Sequence, residues 1–595
     1  MKFVTKRIAV RVAGALLLAA IGQTMFSCSK QQDSDQLNTS PTKLSIKVSG
    51  INELKSNSEK KSSARKSSLQ NSKEANLLSF DEFDVQAVVD DKVETRAKRE
   101  TIRNKTNKTS SSSAKAAVLE TGVKYRLFLY KGSTLISSNE LEVDPSIVST
   151  IDVVPGETYN WYALSYNSEV NVPDVDPADP KIDLAGGNDV LYATGSIEIP
   201  TTGASAPLAI VFDHKVSQIA VELNSMGMFG KFAATGNVTV TGLNVQTGSF
   251  NVLTGEWSNL APYSQSIAWS NFQNIDANGD RKVFVTYTAS PAPLTGVNVG
   301  ISNFSIDHVD GVSRNFTTGG TFNFDVTPVI GESHRLLANL VESPLTVTKG
   351  STTARWARSN LYYENAHNPY RFYAINEATA ASDGRGYFSF GGIIPRKFAT
   401  DGKKDPCALV YPEGVWRQPT NVEFGTLTTS DGLLTNILGN VLELLVPAPA
   451  KNYDNTDATG NGSYIEYKVN AGSGNTAFGT TSNALRFYYN GQVTNVSVIS
   501  DIGADGLVLL NLGGSRGVET ALWTNDGGLD VPILGLSAGA WGYHARNKST
   551  LGVPPLIPGT PFIGAQGTAE LLSNVDLLGL NAISSTFKNV RCVRK

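Results

Sequence analysis

The sequence predicts a mainly β protein: two tandem β-sandwiches, then a third, α+β region of different character. Three observations carry this. Short runs alternating apolar and polar residues recur from Thr42 to Val341 at the spacing of paired strands. The connections between them are rich in turn formers, with 54 Gly and 25 Pro in 595 residues. Few segments carry helical start signals. The length allows three or four domains with cores of their own. Charged residues, at 18%, fall below the usual ~25%, which excludes a highly charged, wholly disordered chain. Three Cys exclude a disulfide-dense miniprotein, and five scattered His offer no His-rich metal site.

Residues 1–27 read as an export signal. Lys2, Lys6, Arg7 and Arg11 precede the apolar run Val12–Ile21, which is too short to span a membrane. The run ends at Met25-Phe26-Ser27-Cys28, which resembles a bacterial lipobox with Met in place of the usual Leu. Cleavage before Cys28 and lipidation of Cys28 are expected, leaving Ser29–Gln36 as a polar tether. An outer-membrane lipoprotein precursor follows from this. An ordinary secretory signal with an incidental Cys is the alternative. The formal net charge of −3 divides unevenly: the leader and the 51–117 segment are basic, and residues 118–595 are acidic. Such a body offers no broad positive surface, so nucleic acid is not an expected partner.

Residues 28–117 form a tether and propeptide. Thr42 to Gly50 alternates strictly and reads as a half-buried strand. Two basic, Ser-rich stretches follow, Lys55–Lys73 with Arg65 and Lys92–Lys115 with Arg96, Arg99 and Arg103. Their composition cannot bury a core, so they read as protease-accessible. Phe80–Val89 between them reads as another strand. The first sandwich is expected over 118–204, completed by the strand at 43–50, with a hairpin turning at Lys131-Gly132. The Pro- and Asp-rich Val170–Asp189 is expected to be loop. The second sandwich is expected over 205–343, from runs such as Leu208–Phe212, Gln218–Leu223 and Arg335–Val341.

From 344 to 595 the chain turns rich in Gly, Asn, Trp and Tyr. Gln418–Leu427 reads as a helix, with Thr420 as N-cap and Glu423 completing a capping box. Leu433–Leu445 reads as a helix or a long strand.

Residues 28–343 resemble the fimbrillin family of Bacteroidota surface lipoproteins, whose domains are transthyretin-like β-sandwiches. The resemblance is carried by the lipobox at Cys28, the strand and Arg-containing loop after it, Gly156-Glu-Thr-Tyr-Asn-Trp161-Tyr-Ala-Leu164, and Phe212-Asp-His-Lys-Val-Ser-Gln-Ile219 through Leu223. It implies that cleavage after an Arg removes the first strand and opens a groove, which a strand of another fimbrial subunit fills. Arg65 is the first candidate for that cleavage. Arg103, or Arg96 or Arg99, would remove Phe80–Val89 as well. The alternative is that these loops are only solvated linkers and the anchor persists.

Residues 344–595 resemble the C-type-lectin-like fold of formylglycine-generating-enzyme relatives and secreted paralogous domains. Arg355-Trp356, Asp405-Pro406-Cys407, Trp416-Arg417-Gln418-Pro419-Thr420, Leu522-Trp523-Thr524 and Val590-Arg591-Cys592 carry it, in order. It implies that the last strand pairs beside the start of this module and that Cys407 and Cys592 form a disulfide. Two separate buried thiols are the alternative. A chain end held in this way could accept a strand but has none to donate, as a filament tip requires.

No catalytic residue, metal site or cofactor is expected. Gly535-Leu-Ser537-Ala-Gly539 matches a nucleophile elbow in letters but lacks the strand–helix setting. Trp523-Thr-Asn525-Asp526 resembles a lectin calcium signature with one residue too many, and Trp523 is expected in a core. Formylglycine chemistry needs paired cysteines that this chain cannot spare. Trp541, Tyr543 and His544, with Tyr488 and Tyr489, are candidates for a surface that binds a host or bacterial glycan or protein.

Overall fold

The computed structural model describes residues 42–55, 77–90, 117–202, 205–377, 384–397, 403–427 and, with interruptions, 453–546, 568–570 and 582–595. Cys28, Arg65, Arg96, Arg99, Arg103 and Leu433–Leu445 lie outside these residues.

The first sandwich has two layers. In one, Thr42–Ile51 is the central strand, antiparallel to Ser149–Val153 and parallel to Ser205–His214. In the other, Thr134–Glu142, Lys124–Lys131, Thr158–Ser165 and Leu191–Glu198 lie side by side in that order, all antiparallel. The layers join where Asp213 and His214 pair with Tyr192 and Leu191. Alternation drives the arrangement: Ala206, Leu208, Ile210 and Phe212 all turn inward, opposite Tyr125, Leu127, Leu129 and Trp161. Gly195 is required here, since a Cβ would lie 2.7 Å from the Trp161 ring. Phe128, Tyr130 and Tyr192 face the other way. They are covered by a small sheet of Lys181–Asp183, Gln246–Asn251 and Glu256–Pro262, led by Phe250 and Trp257. The expected loop at 170–189 thus contains one short strand.

The second sandwich is a six-stranded sheet packed against two three-stranded ones. The six-stranded order is Gln273–Asn274, Arg281–Thr288, Ser217–Gly227, Ser333–Glu342, Phe83–Asp90 and Leu77–Ser79. Its core joins Phe83, Val85, Ile219, Val221 and Leu336 to Val299, Phe304, Phe316 and Phe322.

Two boundaries differ from the sequence reading. Phe83–Asp90 belongs to the second sandwich and not to a propeptide ahead of the first, because Phe83 and Val85 complete the apolar row of Ser333–Glu342. Ser205–His214 completes the first sandwich, and the second begins at Ser217. Both pairings are non-local and leave no mark on local composition.

In the third region the last strand, Val593–Arg594, lies between Thr352–Trp356 and Trp416–Arg417. The expected helix is shorter, Asn421–Phe424, continued by a 3₁₀ turn at Gly425–Leu427. The Thr420 N–H donates to Glu423 Oε2 at 2.9 Å. This region shares a core with the second sandwich, where Phe229 and Val341 meet Leu361, Phe372, Trp416 and Trp523. Among the described residues no helix is long and apolar enough to cross a membrane.

Candidate functional site

The candidate site has two parts: the strand Thr42–Ile51 with its slot, and the buried end of the chain. Leu44 and Ile46 are buried on the core side, Val48 is half-buried, and Ile51 is buried again. The spacing changes because the register shifts between Val48 and Gly50, where Gly50 takes φ +152°. This bulge keeps Ile51 on the core face. Each buried Leu or Ile contributes about 1.5–3 kcal/mol.

The solvent side of the strand is held loosely. Lys43 Nζ meets Asp152 Oδ1 at 2.8 Å, with both side chains more than half exposed. A pair so exposed adds about 0–1 kcal/mol. Removing the strand would leave the backbone groups of Ser149–Val153 and Ser205–His214 facing a gap floored by apolar side chains, a template for another strand.

The chain end is held in the opposite way. Cys407 and Cys592 are joined by a disulfide that closes a loop of 185 residues. Arg591 is fully buried and donates to Ala357 O (3.0 Å), Arg486 O (2.8 Å) and Asn376 Oδ1 (3.2 Å). Desolvation lowers its pKa to about 9. Arg594 lies 4.0 Å over the Trp416 ring and donates to Asp84 Oδ2 at 2.9 Å and to the Glu342 carbonyl. Burial lowers its pKa to about 10, and desolvation likewise raises that of Asp84 against the pull of Arg594. Asp84 and Arg594 are 510 positions apart, and no local signal could have paired them.

Further buried polar contacts join the third region to the second sandwich. Arg314 pairs with Glu342 and donates to Ala374 O at 2.9 Å. Arg358 donates to Ser343 O at 2.7 Å and Asn483 Oδ1 at 2.8 Å. Tyr362 Oη donates to Asp310 Oδ1 at 2.7 Å. His308 is buried among them, its ring nitrogen 3.2 Å from Phe372 O. Burial and Arg314 lower its pKa to about 3.

The aromatic candidates for a ligand surface fare differently. Tyr543 is fully buried, stacked on Phe424 at 4.6 Å and hydrogen-bonded to Tyr467, so it is a core residue and not part of a binding surface. Tyr488 and Tyr489 are also buried. Trp541 and His544 lie on the same strand, Ala540–Arg546, and their side chains are outside the described residues. The side chain of Ser537, in the two-residue strand Leu536–Ser537, is outside them too. Trp523 is core, its indole N–H donating to Phe388 O at 2.7 Å. Asp526 accepts the Asn421 N–H at the start of the short helix.

No protein-family model and no curated protein matches the chain. Solved structures are similar to parts of it. A putative cell adhesion protein from Bacteroides fragilis is similar at 13% identity and a TM-score of 0.27, covering 42% of this chain and 90% of its own. The fimbrial anchor protein Mfa2 from Porphyromonas gingivalis is similar at 12% identity and a TM-score of 0.21, covering 38% and 80%. A fimbrial assembly protein from Parabacteroides distasonis gives 12% and 0.21, covering 39% and 86%. All three likenesses are weak by both measures.

Proposed function

We propose that this chain is a non-enzymatic structural and adhesive subunit of a surface fimbria, exported as a lipoprotein and seated at the tip. One observation carries the reading: Thr42–Ile51 is the central strand of its layer, seated by an apolar row and joined onward by a basic, Arg-containing stretch. Cleavage at Arg65 takes that strand away and leaves Phe83–Asp90 in place. A strand from a neighbouring subunit then refills the slot, gaining backbone hydrogen bonds and apolar burial together. Val593–Arg594, paired on both sides beside the Cys407–Cys592 disulfide, favours a strand that stays with its own module. The third region is then presented outward as the adhesive or capping part, with a glycan or protein as its ligand class.

The test is strand capture. The chain is cut at an introduced protease site within 56–76, the released strand is removed, and a labelled peptide with the 42–51 sequence is added. The expected result is stoichiometric uptake, with amides of Ser149–Val153 and Ser205–His214 regaining protection from exchange. A trimmed chain that stays folded yet takes up no strand contradicts the proposal. It favours instead a free-standing or basal lipoprotein that keeps its anchor at Cys28.

A further inference from the structure

Independently of fimbrial assembly, the chain holds two N-terminal strands in two different ways. Thr42–Ile51 is seated by an apolar row and by backbone pairing on both sides, and its described ion pair, Lys43–Asp152, is exposed. Phe83–Asp90 has an apolar row too, with Phe83 edge-on to Phe304 at 5.4 Å and to Phe316 at 6.0 Å. It also carries a series of specific polar anchors on its other side. Glu82 Oε2, at its entry, accepts the Thr318 N–H at 2.9 Å. Asp84 meets Arg594, the two side chains 3% and 1% exposed. Gln86 Oε1 accepts from Asn339 at 3.1 Å, and Tyr411 of the third region donates to Asn339 Oδ1 at 2.7 Å. Asp90 Oδ1 accepts from Arg335 Nε at 2.8 Å.

These anchors make the slot selective. A foreign strand with only alternating apolar residues could fill the floor. It would leave buried Arg594 with only Glu342, already paired with Arg314, for counter-charge, and Arg594 Nε and Nη1 already make no hydrogen bond. The Lys43–Asp152 pair of the first strand is exposed and places no comparable charge in the interior.

We infer that Phe83–Asp90 is a captive strand, keyed by its carboxylates to a slot formed jointly by the second sandwich and the chain's last strand. It stays with the body even when the backbone is severed on both sides. The slot accepts only a strand with an acid at the position of Asp84. The partner that fits this surface is therefore the chain's own 77–90 segment.

The test uses the full-length chain with sites for an added sequence-specific protease within 56–76 and within 91–116. After both cuts, gel filtration and native mass spectrometry are expected to find the 77–90 fragment bound to the body. Labelled synthetic 77–90 peptide should exchange into the cut protein slowly. The same peptide carrying Asp84→Asn should be held on the order of a hundredfold less tightly, and a 42–51 peptide should not enter this slot at all. Supplying the substitution in the peptide avoids any folding defect in the body. Loss of the 77–90 fragment on gel filtration overturns the inference. So does equal retention of the wild-type and Asp84→Asn peptides. Failure of strand capture at the first slot leaves these outcomes unaffected, so the two proposals fail separately.

Discussion

Substituting Asp84 by Asn preserves size and removes one charge from a pair almost entirely shielded from water. Arg594 then keeps its contact with the Trp416 ring and its bond to the Glu342 carbonyl but loses its directly paired counter-ion, leaving only Glu342, which Arg314 already engages. A buried charge left in this way costs about 3–5 kcal/mol. The pair itself is expensive to bury, as the lowered pKa of Arg594 and the raised pKa of Asp84 record. Removing both charges, with Asp84→Leu and Arg594→Met, is therefore expected to cost less than either single change, roughly 0–2 kcal/mol. The coupling in the double-mutant cycle should exceed about 2 kcal/mol. The chain has several cores and need not unfold in one step, so the assay is hydrogen exchange at the amides of Ser333–Glu342, which report opening of this sheet locally. Single substitutions that each cost under about 1 kcal/mol, or that add without coupling, would refute the reasoning.

Four further outcomes are expected. Cys407→Ser should lower the stability of the third region by about 5 kcal/mol in the chain-entropy treatment of a 185-residue loop, measured as a lower denaturation midpoint under oxidising conditions only. His308 stays neutral in the folded protein, held down by burial and Arg314 against the opposing pull of Asp310, with Arg371 acting as Arg314 does. The unfolded chain therefore binds a proton that the folded chain refuses, and stability should fall as pH falls from about 6.5 towards about 3, by roughly 2 kcal/mol at pH 5. His308→Gln should flatten that dependence in denaturant titrations at pH 7 and pH 5. Leu44→Ala or Ile46→Ala should each cost about 2–4 kcal/mol and speed exchange of the first strand with added peptide, read by fluorescence of the label.

The strands that read clearly in the sequence are those with one wet face. Ser205–His214 alternates buried and exposed almost without fault, and its periodicity was visible residue by residue. The Thr420–Glu423 capping box was visible because its chemistry is confined to four positions. Membership was harder to read. Phe83–Asp90 looks locally like any half-buried strand, and only its fit beside Ser333–Glu342 and its meeting with Arg594 assign it to the second sandwich. The parallel pairing of Thr42–Ile51 with Ser205–His214 joins Lys43 to Ser205 across the eight described strands between them and has no local signature. Tyr543 shows the matching weakness for sites. An aromatic residue with a polar tip suits a binding surface and a core equally, and here Phe424 and Tyr467 take both its ring and its hydroxyl. Arg591 and Arg594 are both buried, and the partners that compensate them lie far away in the sequence.

The central claim is that the assembled chain has lost Thr42–Ile51 and kept Phe83–Asp90. Amino-terminal sequencing of the chain recovered from surface fibres tests both halves at once. The expected result is a first residue just after Arg65, with peptides covering 77–90 present in the same digest. A mature chain that begins at a lipidated Cys28, or one that has lost residues 77–90 altogether, would contradict it.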